Sequence, residues 1–152
     1  MNGNQLEKLQ SVYQNGEGKA DFNHLNVIDG KLYLAGSTKG SSLMAYTELS
    51  NGLINTTNGL TTLPFSTGST TKNQADFGDA NCVVKNGSKI YVASTRGYEI
   101  FDPTNGYLHS YLATAGKAKF VASNGSNLYG LNYTSAVRAN ESSVDALLYY
   151  QY

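Results

Sequence analysis

Charged and amide side chains stand at like positions in three stretches of the 152-residue chain. Asp21, Asp79 and Lys117 each open an apolar segment, and Asn23, Asn81 and Lys119 follow two places on. Basic residues recur further along. Lys39 lies within Ser37-Thr-Lys-Gly40, Arg96 within Ser94-Thr-Arg-Gly97, and Arg138 in a longer third loop. Gathered around a common mouth, one base per stretch makes a funnel that attracts anions. The ligand that suits it is acidic or rich in hydroxyls, a carboxylated sugar for example, with tyrosine rings to stack on. The competing reading is that these are exposed loop charges, solvated and partnered by neighbouring aspartates.

Groups for catalysis do not gather in the same way. His24 and His109 fall on an inner and an outer strand, and His24 holds the place that Cys82 and Phe120 hold in the other stretches. That is a packed or hydrogen-bonded position rather than a base's. Cys82 reads as a small buried hydrophobe with no base beside it. As the single cysteine, it excludes an internal disulfide framework and a Cys-based zinc cluster. Asp76-Phe77-Gly78 matches a kinase metal motif in letters only, because the Gly-rich and catalytic loops are missing. Asp21, Asp76 and Asp79 lack the regular spacing of a calcium loop. No catalytic residue, metal or cofactor is assigned.

The elements that must carry the mouth are repeats. Asp21–Ala35, Asp79–Ala93 and Lys117–Leu131 align, each as a short apolar strand, a tight turn and a strand with an apolar-Tyr pair. The turns fall at Asp29-Gly30, Asn86-Gly87 and Asn124-Gly125, dipeptides suited to the positive φ of two-residue hairpins. Third strands follow at Ser42–Glu48 and Tyr98–Asp102, with Ala146–Tyr150 as the third copy. A fourth is clearest at Tyr107–Leu112. Tyr91 and Tyr129 lie 38 positions apart, near the length of one four-stranded unit of about 40–45 residues. Tyr33 and Tyr91 lie 58 apart, and the surplus is a polar insertion over 55–75, read as a long hairpin or surface loop. The first residues complete the pattern. Leu9–Phe22 resembles Leu108–Phe120, so the N-terminus reads as an outermost strand and the C-terminus as a sheet lacking one.

Composition narrows the class. Lys+Arg and Asp+Glu are each 11, a balance that argues against nucleic acid and polybasic membrane-surface binding. No apolar run approaches the roughly 18 residues of a membrane span. With 12 Tyr, 16 Gly and 14% charged residues, the chain is polar yet aromatic, unlike a helical bundle, and its length suits one domain, 1–152. Abundant Asn, Thr, Ser and Tyr suit a secreted, periplasmic or cell-surface protein. No charged-then-apolar signal segment follows Met1, which leaves the cytoplasm open.

The phrase Lys89-Ile-Tyr-Val-Ala-Ser-Thr-Arg-Gly-Tyr-Glu-Ile-Phe-Asp-Pro-Thr-Asn-Gly106 resembles bacterial β-propeller proteins with LVIVD-like, kelch-like or quinoprotein-like repeats, and the likeness spans about residues 6 to 152. The Trp-Asp and Gly-His signatures of WD-type blades and the double glycine of kelch repeats are absent. The resemblance implies an all-β, propeller-like fold of three four-stranded antiparallel blades, one of them shared between the N- and C-terminal strands. Propellers need four to eight blades. The expectation is therefore a homodimer completing a six-bladed ring about a two-fold axis, or a fragment of a longer propeller; a sandwich is the rival fold. By fold analogy the function is non-catalytic binding or interaction, bacterial and extracytoplasmic, with a carbohydrate or anionic small molecule as ligand. The alternatives are a sugar-acting lyase or hydrolase with its site at the mouth, and a purely architectural piece.

Overall fold

The computed structural model describes residues 21–37, 42–47, 53–55, 59–61, 63, 77–113, 117–132, 136–140 and 143–150. They form three antiparallel sheets, each with its strands in chain order. Sheet I holds β1 (Asp21–Ile28), β2 (Lys31–Ser37), β3 (Leu43–Thr47) and the short β4 (Leu60–Thr61). Sheet II holds β5 (Ala80–Asn86), β6 (Lys89–Ser94), β7 (Gly97–Asp102) and β8 (Leu108–Ala113), with a 3-10 turn at Pro103–Asn105. Sheet III holds β9 (Ala118–Ser123), β10 (Leu128–Asn132), β11 (Ala136–Asn140) and β12 (Ser143–Tyr150).

The first strands of the three sheets sit side by side, with β5 between β1 and β9. Sheet II is covered on both faces, so Ile90, Tyr91, Val92 and Ala93 of β6 are all buried, the unbroken apolar run of a strand enclosed on two sides. Tyr33, Ala35, Leu43 and Ala45 of sheet I pack on Val83, Ile90, Val92 and Phe101. Cys82, Tyr91, Ala93 and Tyr98 of sheet II pack on Ala118, Val121 and Leu128. In β9, by contrast, Ala118 and Val121 are buried while Phe120 is half exposed. Among the described side chains of β9 and β10, one face is covered, and the other is open at Phe120, Tyr129 and Leu131.

Repetition extends to a shared irregularity. Pairing slips between Phe22 and His24 in β1, between Ala80 and Cys82 in β5, and opposite Leu131 and Asn132 in β9. Asn23, Asn81 and Lys119 are the extra residues, and a bulge of this kind re-aims the side chain that it carries. Asn23 Nδ2 donates to the Ala80 carbonyl at 3.0 Å, and Asn81 Nδ2 to the Ala118 carbonyl at 2.8 Å. The same bond thus ties sheet I to sheet II and sheet II to sheet III. Asn81→Ala and Asn23→Ala should each lower unfolding free energy by about 1 kcal/mol, with the larger loss at the less exposed Asn81, as urea titration would measure. Two unchanged midpoints would show that packing alone joins the sheets.

Two of the three hairpin turns differ from the sequence expectations. The second hairpin turns on Gly87-Ser88, with φ +56° at Gly87, while Asn86 ends β5. Asn86 is needed elsewhere: its Oδ1 accepts from Ser123 Oγ at 2.6 Å across the II–III junction. The third hairpin is a four-residue loop, in which Asn124 Oδ1 accepts from the Ser126 and Asn127 amides. Asp29-Gly30 turns as expected, with φ positive at both residues.

The largest correction concerns the last sheet. Ala146–Tyr150 belongs to the fourth strand, β12, and the third is β11, which reads as a loop in the sequence because Arg138 and Asn140 interrupt its apolar residues. Ladder pairing is a backbone matter, and β11 pairs with β10 on one side and β12 on the other. Among the described residues sheet III therefore draws four strands, β9 to β12, from its own stretch of chain, one more than the sequence pattern finds there. Leu9–Gln14, expected as the exchanged strand, lies outside the described residues. The polar insertion 55–75 supplies β4 and the fully buried Leu63; its remainder beyond Leu63 also lies outside them.

Candidate functional site

Where β1, β5 and β9 begin, the three bulges bring their side chains to one place. Asn23, Asp79, Asn81, Thr95, Lys117 and Lys119 line a cleft of about 510 Å³, and Phe120 and Leu131 complete its wall. Sheet I contributes Asn23, sheet II the next three, and sheet III the lysines and the apolar wall. Position comes from the backbone. The Thr95 amide donates to the Asp79 carbonyl at 3.0 Å, which fixes the turn after β6 against the start of β5. Each asparagine spends one side-chain N–H at a sheet junction, and its amide oxygen takes no part in that bond.

Five of the nine residues singled out in the sequence meet here: Asn23, Asp79, Asn81, Lys117 and Lys119. Asp21 opens β1, but only its backbone is described. Lys39 lies outside the described residues. Arg138 sits in β11 opposite Tyr129 and Leu148, and so on a strand rather than in a loop.

Arg96 does occupy the turn after β6, yet its head is committed away from the cleft. Its Nε and Nη2 donate to the Glu99 carboxylate at 2.9 and 2.8 Å, and its guanidinium lies 4.7 Å from the Tyr111 ring centre. Ser94 Oγ donates to Glu99 Oε1 at 2.8 Å, and His109 Nε2 lies 2.8 Å from Oε2. His109 is stacked on Phe101 with ring centres 4.7 Å apart. Burial alone would push the Glu99 carboxyl up. The hydrogen bonds from His109, Arg96 and Ser94, with the Arg96 charge, outweigh it and hold the group below the ordinary carboxylate range. This cluster has the residue types of a catalytic site, but its fully buried acid is saturated by fixed partners. It locks β6, β7 and β8 together.

His24 and Cys82 behave as read. His24 Nδ1 accepts from the Val83 amide at 3.3 Å, and burial lowers its pKa. Cys82 is fully buried, its thiol pushed up by burial while Sγ donates to the Val121 carbonyl.

Sequence reasoning missed Thr95, Leu131 and Phe120 as cleft residues. Phe120 carried a signal, since it aligns with the junction residues His24 and Cys82 at the end of the series. Chemically the cleft offers two ammonium groups, one carboxylate, two amides, a hydroxyl and an apolar wall. No family model, curated protein or solved structure matches the chain.

Proposed function

We propose that the chain is a non-catalytic binding module whose cleft holds a small anionic, hydroxyl-rich ligand of the sugar-acid type. One observation carries this reading: three separate sheets deliver Asn23, Asp79, Asn81, Lys117, Lys119 and Phe120 to a single hollow. The lysines attract a carboxylate, and Asp79 and the amides take hydroxyls. Among the side chains lining the hollow there is no His or Cys and a single carboxylate, which favours holding a ligand over acid–base chemistry on it.

On the same reading the three sheets are successive blades of a propeller of the bacterial, extracytoplasmic kind. The common strand order, the adjacent first strands and the repeated bulge and asparagine bond support it. Three blades fall short of the four to eight that close a ring, so a second copy or the rest of a longer propeller supplies the others.

Titration with uronate oligosaccharides tests the site. Lys119→Ala and Asp79→Ala should each weaken binding by about tenfold, the worth of one charge-assisted hydrogen bond, and added salt should weaken the wild type. Affinity unchanged in both variants discards the cleft. Arg96→Ala should leave affinity alone and lower stability instead.

A further inference from the structure

Resting on the reading of the sheets as blades, we infer that the exposed face of β9 and β10 in sheet III is the seat for β1 of a second copy of this chain, joined head to tail.

The chain contains two examples of the joint. At each, a residue of the first strand meets the next sheet one position further along its own first strand. His24 Nδ1 accepts from the Val83 amide, and Cys82 Sγ donates to the Val121 carbonyl. The asparagine two residues into each repeat bonds the carbonyl just before the next bulge. Applied once more, the rule sets Phe120 against Leu25 of the partner subunit and Lys119 beside the carbonyl of the partner subunit's Phe22.

The exposures fit that third joint. Val83 and Val121, buried completely at the first two, correspond to Leu25, which is 64% exposed. On the other side Cys82, Tyr91 and Ala93 are buried by the sheet that follows, whereas Phe120, Tyr129 and Leu131 are 48%, 42% and 47% exposed. Val27 adds to the open strip on β1. Leu32, Leu34, Met44 and Tyr46 further out on sheet I are already buried, so the seat takes the inner strand. Where His24 and Cys82 make polar contacts at the internal joints, Phe120 and Leu25 present two apolar side chains that stay exposed. Among the described ring contacts the Phe120 ring meets only His24 of its own chain, edge-on at 6.3 Å. That exposure to water favours the meeting of Phe120 and Leu25.

Number and symmetry select a dimer. Two copies give six sheets, within the four to eight of a closed ring, and three give nine. A two-fold pair uses each end face of each copy once and leaves none open. The cleft at the start of the inner strands then opens onto the axis beside its symmetry mate.

The test is a complementation experiment by sedimentation equilibrium on Leu25→Asp and Phe120→Asp, both at exposed positions and both checked for β-sheet circular dichroism. Wild type should sediment at twice 16.3 kDa, and each variant alone should associate at least about tenfold more weakly. Mixing the two should restore dimer, because one of the two joints then pairs an intact Phe120 face with an intact Leu25 strand. A wild type that remains at the monomer mass, variants that dimerise as well as wild type, or a mixture no stronger than either component overturns the inference. Monomeric wild type covers the case in which residues 1–20 of the same chain take the seat. Uronate titration of Leu25→Asp, a residue outside the cleft, separates the two failures: binding without dimer leaves the proposed function standing, and dimer without binding leaves the joint standing.

Discussion

Glu99→Ala should be the most damaging single substitution in the described chain, costing about 3–5 kcal/mol of stability. The deletion strands three partners together. Arg96, Ser94 and His109 all direct polar atoms at the Glu99 carboxylate, and removing an acid from such a cluster leaves buried charge and donors uncompensated. Against a typical total of roughly 5–15 kcal/mol for a small domain, that is a large share. Glu99→Gln keeps the shape and should fall between alanine and wild type. Guanidinium unfolding measures both, and a loss under about 1 kcal/mol for alanine would mean the cluster is ornamental to stability.

The same group gives acid sensitivity of known sign. Its carboxyl is held below the ordinary range in the folded chain. Its contribution is therefore full above the unfolded value, about 4.3 for a glutamate, and is lost as pH falls through the lower folded value. Wild type should lose stability over that window more steeply than Glu99→Gln. Parallel curves would contradict the assignment.

The second large effect is expected at Gly130. A Cβ built there would collide with the Tyr98 hydroxyl, which reaches over from sheet II and donates to Asn132 Oδ1 at 2.8 Å. The Tyr98 side chain is buried, and moving the hydroxyl aside strains that bond. Gly130→Ala should cost roughly 2–3 kcal/mol through overpacking and the lost hydrogen bond. Tyr98→Phe should cost about 1 kcal/mol alone and recover part of the loss in the Gly130→Ala background. Strict additivity of the two would show that the residues do not share this space.

What the sequence discloses and what it hides follow from the range of the forces involved. The hairpin at Asp29-Gly30 is legible because a two-residue turn constrains its own residues, whereas Asn86-Gly87 sets the second turn one residue early. The cleft is legible as far as Asn23, Asn81 and Lys119, since alignment finds the same place in three repeats even before the bulge there is known. Arg96 misleads: a turn position implies exposure, and only the fold shows that Glu99, three residues on, sits behind it. Glu99 itself is hidden by its type, because an acid in a strand reads as solvent-facing until Arg96 and His109 arrive from the neighbouring turn and strand. Strand β11 is hidden for the opposite reason. Its pairing rests on backbone groups that every sequence possesses, and its side chains give no alternating pattern to read.

The succession of sheets through one repeated joint is the claim on which the cleft and the proposed dimer both depend, and side-chain amide NMR addresses it most directly. Asn23 and Asn81 should each show a slowly exchanging Nδ2 proton, with cross-peaks from Asn23 to the Ala80–Asn81 peptide and from Asn81 to the Ala118–Lys119 peptide. Rapidly exchanging side-chain amides at both residues, with no cross-peak to the following sheet, would contradict it.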